Sequence, residues 1–316
     1  MTPLRIAVLL AAAAMVVPVT FAAALAPGAK VAVDAEPPWE KAMRVLPLAP
    51  PGTDTGEPVV AIPMHVPVPN WSHYIGPGAP LYMTMADDPG SLYACTANFL
   101  WRDGNDYYIG AAGHCFMPAN KKATHGSGAD YDRTRTQVSV CLNTCIFGGQ
   151  TGFFFVGATA LGSPAYARQT GPGGDIGNDF GIVKIPPELH SKMRPYMWFW
   201  EGPKSVWPGG SINGKPLCLY GNAGGFGEVY LTKARAGVGS SYGGSVWSGV
   251  LPSFKGDSGS AVVTCGPDAN GVHGQAAVGV LTHLRAGVGP IAGTTVPRAI
   301  QMAGEANIQL TLVTQP

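Results

Sequence analysis

Three short segments of this chain carry a base, an acid and a hydroxyl in settings that suit nucleophilic chemistry. Ala111-Ala112-Gly113-His114-Cys115 sets an imidazole directly after an apolar run, and Asn178-Asp179 leads into Phe180-Gly181-Ile182-Val183-Lys184-Ile185. Gly256-Asp257-Ser258-Gly259-Ser260 holds a hydroxyl between glycines. A serine hydroxyl is a weak nucleophile and needs a neighbouring base to accept its proton. An imidazole does this near neutral pH, and a buried carboxylate on its other nitrogen fixes the tautomer and stabilises the imidazolium. Ser258 is therefore the candidate nucleophile, His114 the base and Asp179 the orienting acid. Glycines beside the serine let the backbone turn so that two amides, those of Gly256 and Ser258, face one small space suited to a developing oxyanion. The rival carboxylate, Asp175, directly follows Gly173-Gly174 and reads as part of that turn. His273 and His283 read as packing or cleft-rim residues, and Trp198, Trp200, Trp207 and Trp247 as core or surface cover.

Positioning such groups needs a scaffold, and its elements read as strands. Beyond residue 80 the chain is a succession of short apolar or alternating runs punctuated by Gly, Pro, Asn and Asp. Asn98–Arg102 and Tyr107–Ala111 flank Asp103-Gly104-Asn105-Asp106, which predicts a hairpin with an Asp-Gly turn. Further strands are expected at 137–142, 153–159, 180–185, 217–220, 228–233, 245–250, 261–264, 276–282 and 308–313. Only Val296 to Ala303 has helical spacing. Many turn-bounded strands with one late helix indicate an all-β barrel or sandwich.

Composition agrees and removes other classes. Hydrophobic residues make up 46% of the 316 and charged residues 12%, so a sizeable core is available. The 44 glycines and 29 prolines follow no collagen-like period and suit a turn-rich chain. A net charge of +1, with no basic run longer than Lys121-Lys122, excludes nucleic acid as a partner. The 7 histidines show no ligand spacing, and no CxxC or HExxH occurs, so no metal site and no cofactor are expected.

The N-terminus reads as a targeting segment. Arg5 precedes an apolar run from Ile6 to Ala26, and Ala24-Leu25-Ala26 offers a small-x-small cleavage site, so residues 1–26 read as a signal peptide. The alternative is an uncleaved single-span anchor. Residues 27–74 read as a Pro-rich pro-segment or linker, since 12 prolines lie between Pro27 and Pro80. One domain follows, at 75–316. The 6 cysteines of an exported chain point to disulfides.

The three segments, in the order His, Asp, Ser, resemble the chymotrypsin family of serine peptidases, and its streptogrisin-like bacterial branch in particular. AAGHC is similar to that family's histidine signature, NDFGIVKI to its aspartate segment, and GDSGS to GDSGG with one departure, Ser260. The stretch from Cys95 to Cys115 and the tail Val296-Pro297-Arg298-Ala299-Ile300 extend the likeness. The resemblance implies two antiparallel six-stranded Greek-key barrels with a short C-terminal helix and the active site between them. It implies a secreted, monomeric endopeptidase that cleaves protein or peptide substrates through an acyl-enzyme. The alternative is a catalytically silent homologue acting as an extracellular binding protein. An α/β-hydrolase is rejected, because Ser260 breaks the second glycine of GxSxG and the order of the three residues is wrong.

The resemblance also implies finer roles. Thr282, within Val280-Leu281-Thr282-His283-Leu284, belongs to a segment that pairs with substrate backbone, with Leu284 at a pocket entrance and Pro252 at the pocket base. Asp257 becomes a buried aspartate in need of a cation, for which Lys255 and Arg235 are the candidates. Cysteines pair as Cys95–Cys115, Cys218–Cys265 and Cys141–Cys145. Several departures are visible. No Arg/Lys-Ile-Val-Gly-Gly activation site exists, the nearest text being Tyr74-Ile75-Gly76-Pro77-Gly78, and no cysteine lies in the four positions before Gly256. Pro252 supplies no charge for Lys or Arg, so small or medium apolar side chains are the expected preference. The polar stretch Met117 to Arg135 reads as a surface loop.

Overall fold

Alternating apolar and polar residues bounded by Gly and Pro produce the expected all-β architecture, closed by one helix. The computed structural model describes residues 66–68, 74–117, 132–148, 154–169, 176–197, 200–222, 233–253, 256–268, 271–284 and 290–315. All of them fall within the unit Glu36–Pro316. The signal-peptide reading, most of the Pro-rich segment and most of the 117–135 loop lie outside the described residues, as do Asp175 and Lys255. Among the described residues no helix is long and apolar enough to cross a membrane.

In the N-terminal half the strands are β1 (Val66–Val68), β2 (Pro80–Met85), β3 (Asp88–Thr96), β4 (Leu100–Asp103), β5 (Asp106–Ala111), β6 (Thr136–Gly148), β7 (Phe154–Gly162), β8 (Pro164–Gln169) and β9 (Asp179–Lys184). They make two hydrogen-bonded sheets, β1-β6-β2-β3 with β7 also on β6, and β17-β4-β5-β9-β8, in which β17 (Thr311–Leu312) comes from the chain end. The C-terminal half has β10 (Ser205–Val206), β11 (Pro216–Tyr220), β12 (Ala234–Gly243), β13 (Val246–Val250), β14 (Ala261–Asp268), β15 (Gly271–Leu284) and β16 (Pro290–Thr295). Here antiparallel pairing runs β11-β12-β13-β16-β15-β14 and returns to β11. A ring of pairings of this kind leaves no strand edge among its members.

Buried side chains fill the interior of each half and the seam where β4, β9 and the helix α1 (Val296–Glu305) lie together. At the seam Trp101 stands edge-on to both Phe99 and Phe180, with centroids 5.9 and 5.6 Å apart. Burying Phe180 contributes about 1.5–3 kcal/mol, and it anchors β9 one residue after Asp179. Helix α1 begins at Thr295, whose hydroxyl accepts the amide of Arg298 at 3.3 Å, with a proline in its first turn. It turns Val296, Ala299, Met302 and Ala303 inward.

Several sequence expectations need adjustment. The β4–β5 loop is the two residues Gly104-Asn105, not an Asp-Gly pair: Asp103 pairs with Asp106, and Gly104 takes φ 57°. β1 is a short ladder inside the Pro-rich segment, where none is expected; at an edge, the missing N–H of Pro67 is tolerated. β2, β3, β8, β10, β12 and β16 escape the sequence reading. β12 reads Ala-Arg-Ala-Gly-Val-Gly-Ser-Ser-Tyr-Gly and looks like a loop; its pairing to β11 and β13 overrides its weak propensity. The strand expected at 228–233 lies almost wholly outside the described residues.

Candidate active site

The register of two strands brings the base and the acid together. β5 pairs antiparallel with β9 so that Ala111, the last residue of β5, faces Gly181, two residues after Asp179 at the start of β9. The chain then enters a 3-10 turn, Gly113–Phe116, which carries His114. The His114 amide donates to Asp179 Oδ1 at 2.9 Å, and His114 Nδ1 lies 2.6 Å from Asp179 Oδ2. Both side chains are wholly buried. Next to a carboxylate Nδ1 carries the proton, which leaves Nε2 as the basic nitrogen. Nε2 is buried and has no hydrogen-bond partner among the described residues.

Asp179 is held at its backbone as well. Its N–H donates to Thr294 Oγ1 at 3.2 Å, and that hydroxyl lies 2.9 Å from the Asp179 carbonyl and 3.1 Å from that of Ile176. Burial by itself pushes the Asp179 carboxyl up. The charge and hydrogen bonds of His114, with added charge from His283, outweigh this and hold it below the ordinary carboxylate range.

The serine segment is pinned from two sides. The Gly259 amide donates to Leu281 O at 2.7 Å, and Leu281 donates in return to Ser260 O at 2.9 Å. From the N-terminal half, the Thr96 amide donates to Ser258 O at 2.9 Å, while Thr96 Oγ1 donates to Gly256 O at 2.9 Å and accepts the Asn222 amide at 2.9 Å. Gly259 has φ 94°, and a Cβ there would collide with Thr96 O and press on Ala112 N, two residues before His114. Only glycine lets the serine loop approach the histidine strand this closely. Cys115 Sγ lies 3.8 Å from Ser258 O, and Ser258 is fully buried. The three candidate residues thus converge on one region.

Asp257 meets Arg235 through two parallel contacts, Nη1–Oδ2 at 2.5 Å and Nη2–Oδ1 at 2.6 Å. Their side chains are 0% and 1% exposed, so the pair is fully desolvated. Of the two candidate cations, Arg235 is the one within the described residues, and the unread strand β12 delivers it. Arg235 Nη1 also reaches Pro252 O at 3.4 Å, tying the residue read as the pocket base to the same ion pair.

Thr282 sits at an irregularity of the β15–β16 ladder, buried, with Oγ1 3.4 Å from Ala292 O and 2.8 Å from His283 Nδ1. His283, read from sequence as packing or rim, stands beside the base: its ring is 6.5 Å from that of His114 at an interplanar angle of 72°. The Leu284 side chain lies outside the described residues. Thr96 and Thr294 are the residues that sequence reasoning misses. Both are ordinary strand threonines, and only their position next to Cys95 and ahead of the helix sets them apart.

Disulfides join Cys95 to Cys115 and Cys218 to Cys265. The Cys145 side chain, and with it the third expected pairing, lies outside the described residues. Cys95, His114 and Cys115 bring potential ligand atoms close together, but both sulfurs are consumed in a disulfide and offer no thiolate.

No family model matches this chain, and no curated protein matches it by sequence. It is similar to solved structures of bacterial serine proteases. Thermobifida fusca Protease A shares 16% identity over 76% of this chain and 99% of that one, with a TM-score of 0.45. A glutamic acid specific serine protease, described as using a novel histidine triad in substrate binding, shares 17% over 75% and 99%, with a TM-score of 0.44. Protease Anisep from Arthrobacter nicotinovorans shares 13% over 73% and 93%, with a TM-score of 0.42.

Proposed function

We propose that this chain is a serine endopeptidase of the chymotrypsin type, with Ser258 as nucleophile, His114 as general base and Asp179 as the acid that orients it. The observation that carries the reading is the buried His114–Asp179 pair at 2.6 Å, with Nε2 buried and without a hydrogen-bond partner among the described residues. In the first half-reaction Ser258 Oγ bonds to the substrate carbonyl carbon as its proton passes to His114 Nε2. The amides of Gly256 and Ser258 hold the oxyanion. The C–N bond then breaks, and the leaving amine takes the proton from His114. A water molecule, deprotonated by the same nitrogen, attacks the ester; the acid departs and Ser258 regains its hydrogen. Thr282 and Leu284 line the cleft where substrate backbone adds as a strand, and Pro252 floors a pocket for small or medium apolar side chains. No cofactor takes part.

The two disulfides and the apolar run from Ile6 to Ala26 support export to an oxidising compartment, where the protein acts as a monomer. One observation favours a second reading, a homologue that binds without cleaving: Ser258 and His114 are both 0% exposed. Casein hydrolysis by wild type and by Ser258→Ala separates the two. Hydrolysis that disappears in the variant supports the peptidase; equal hydrolysis by both, or none by either, overturns it.

A further inference from the structure

Asn222 follows the end of β11 by two residues and is tied to three separate stretches of chain. Its amide donates to Thr96 Oγ1 at 2.9 Å, and its Nδ2 donates to Gly78 O at 2.7 Å. Its Oδ1 accepts Lys233 Nζ at 3.0 Å. A lysine ammonium can only donate and a carbonyl can only accept, so these partners fix which end of the carboxamide is which. Asn222 and Lys233 are 2% and 5% exposed, so the bonds lie in a junction that holds little water, where each is stronger than at the surface.

The neighbouring residue seats this segment against the serine loop. A Cβ at Gly221 would collide with Asp257 Oδ1 and Arg235 Nη2, so the backbone passes directly over that ion pair, and glycine permits it. Lys233 O accepts the Gly221 amide at 3.1 Å and Arg235 Nε at 3.4 Å. Lys233 thus holds both the side chain of Asn222 and the peptide before it.

The Thr96 hydroxyl carries one proton, and its contacts decide where that proton points. Oγ1 accepts the Asn222 N–H, which can act only as a donor, and this leaves the hydroxyl proton for the Gly256 carbonyl at 2.9 Å. That carbonyl belongs to the peptide plane between the two proposed oxyanion amides, those of Gly256 and Ser258. Gly256 has φ 101° and no side chain to restrict it, so the plane is held by an outside hydrogen bond and not by its own conformational preference.

We propose that Asn222 is a positioning residue for the oxyanion loop. Acting through Thr96, and held in place by Lys233 and Gly78, it aims the hydroxyl that fixes the Gly256 carbonyl. This role rests on the peptidase reading.

The test is a double-mutant cycle on the full chain, with wild type, Asn222→Ala, Thr96→Val and the double variant, read by casein hydrolysis and by the rate of fluorophosphonate labelling. Asn222→Ala keeps the backbone amide and loses both side-chain tethers. It is expected to lower kcat about tenfold, the order that one net hydrogen bond is worth, with KM within about twofold of wild type. In the Thr96→Val background the same substitution is expected to cost less than about twofold, because the hydroxyl it aims is gone. A role in stability alone would lower the free energy of unfolding and leave the cost in kcat the same in both backgrounds. Equal costs in the two backgrounds, or an unchanged kcat in Asn222→Ala, overturn the proposal and leave the peptidase reading standing. A wild type that neither cleaves nor labels overturns that reading, and the proposal with it. Should Asn222→Ala fail to fold, Asn222→Asp, which keeps an acceptor for Lys233 and loses the donation to Gly78, enters the same cycle with the same coupling expected.

Discussion

Thr96 Oγ1 donates to the carbonyl of Gly256 at 2.9 Å, a bond across 160 positions of sequence that couples a strand of one half to the serine loop of the other. The neighbouring Thr96 amide holds Ser258 O. Thr96 therefore sets the loop carrying both proposed oxyanion amides. Thr96→Val keeps the volume and removes the hydroxyl, leaving the Gly256 carbonyl and the Asn222 amide without it. A stability loss of about 1–3 kcal/mol is expected, as for other buried polar groups left unsatisfied. The kcat should fall with little change in KM, by less than the roughly 10²–10³ that deleting an oxyanion donor costs. Steady-state kinetics and urea unfolding check both; an unchanged kcat contradicts the role.

Removing one member of the buried Arg235–Asp257 pair takes both parallel charge-assisted contacts from the other. Arg235→Met is expected to destabilise by about 3–5 kcal/mol. In Arg235→Met with Asp257→Leu both members of the buried pair are gone, and much of that loss should return. Equal destabilisation by the single and double variants in denaturant titrations would show that the pair acts through packing and not through charge.

Asp179→Asn keeps the shape of the site but offers His114 the wrong tautomer, and kcat is expected to drop about 10⁴-fold at neutral pH. The same residue makes stability depend on acid. Folded Asp179 holds its proton less tightly than an unfolded aspartate does. Its contribution is thus fully present above the unfolded value of about 3.9 and drains as pH falls through the lower folded value. Unfolding free energy measured from pH 6 downward should fall less steeply below about pH 4 in Asp179→Asn than in wild type. Identical slopes would contradict the assignment.

The Cys218–Cys265 bridge spans 47 positions between β11 and β14. On the loop-entropy estimate it stabilises by about 4 kcal/mol, against about 3 for Cys95–Cys115 at a separation of 20. Cys218→Ala with Cys265→Ala should lower Tm more than the Cys95/Cys115 pair of substitutions does. The reverse order, read by calorimetry, would mean that strain and not chain entropy decides.

The proposed pocket floor is Pro252, which carries no carboxylate. Profiling with a peptide library should give cleavage after small or medium apolar residues. Strong cleavage after Arg or Lys would contradict it.

The candidate residues stand out more clearly in the sequence than the scaffold does. His114, Asp179 and Ser258 advertise themselves because each stands next to Gly or an apolar strand in a short fixed pattern, and local patterns survive in one dimension. β9 and the hairpin of β4 and β5 were readable for the same reason. β12 was not: five of its ten residues are Gly or Ser, and its strand character comes from two neighbours, not from itself. β12 carries Arg235, so from sequence alone Arg235 is only one of two candidate cations for Asp257. Thr96, Thr294 and His283 were unreadable as site residues, because their importance is a matter of which strand lies beside which. A threonine in a strand has no signal of its own until register gives it a carbonyl to hold.

The most direct measurement is mass-mapped labelling with a fluorophosphonate. Wild-type protein is expected to carry one phosphonyl adduct, located on Ser258, with labelling abolished by Ser258→Ala and strongly slowed by His114→Ala. Intact wild type that stays unlabelled, or an adduct on any other serine, would contradict the account.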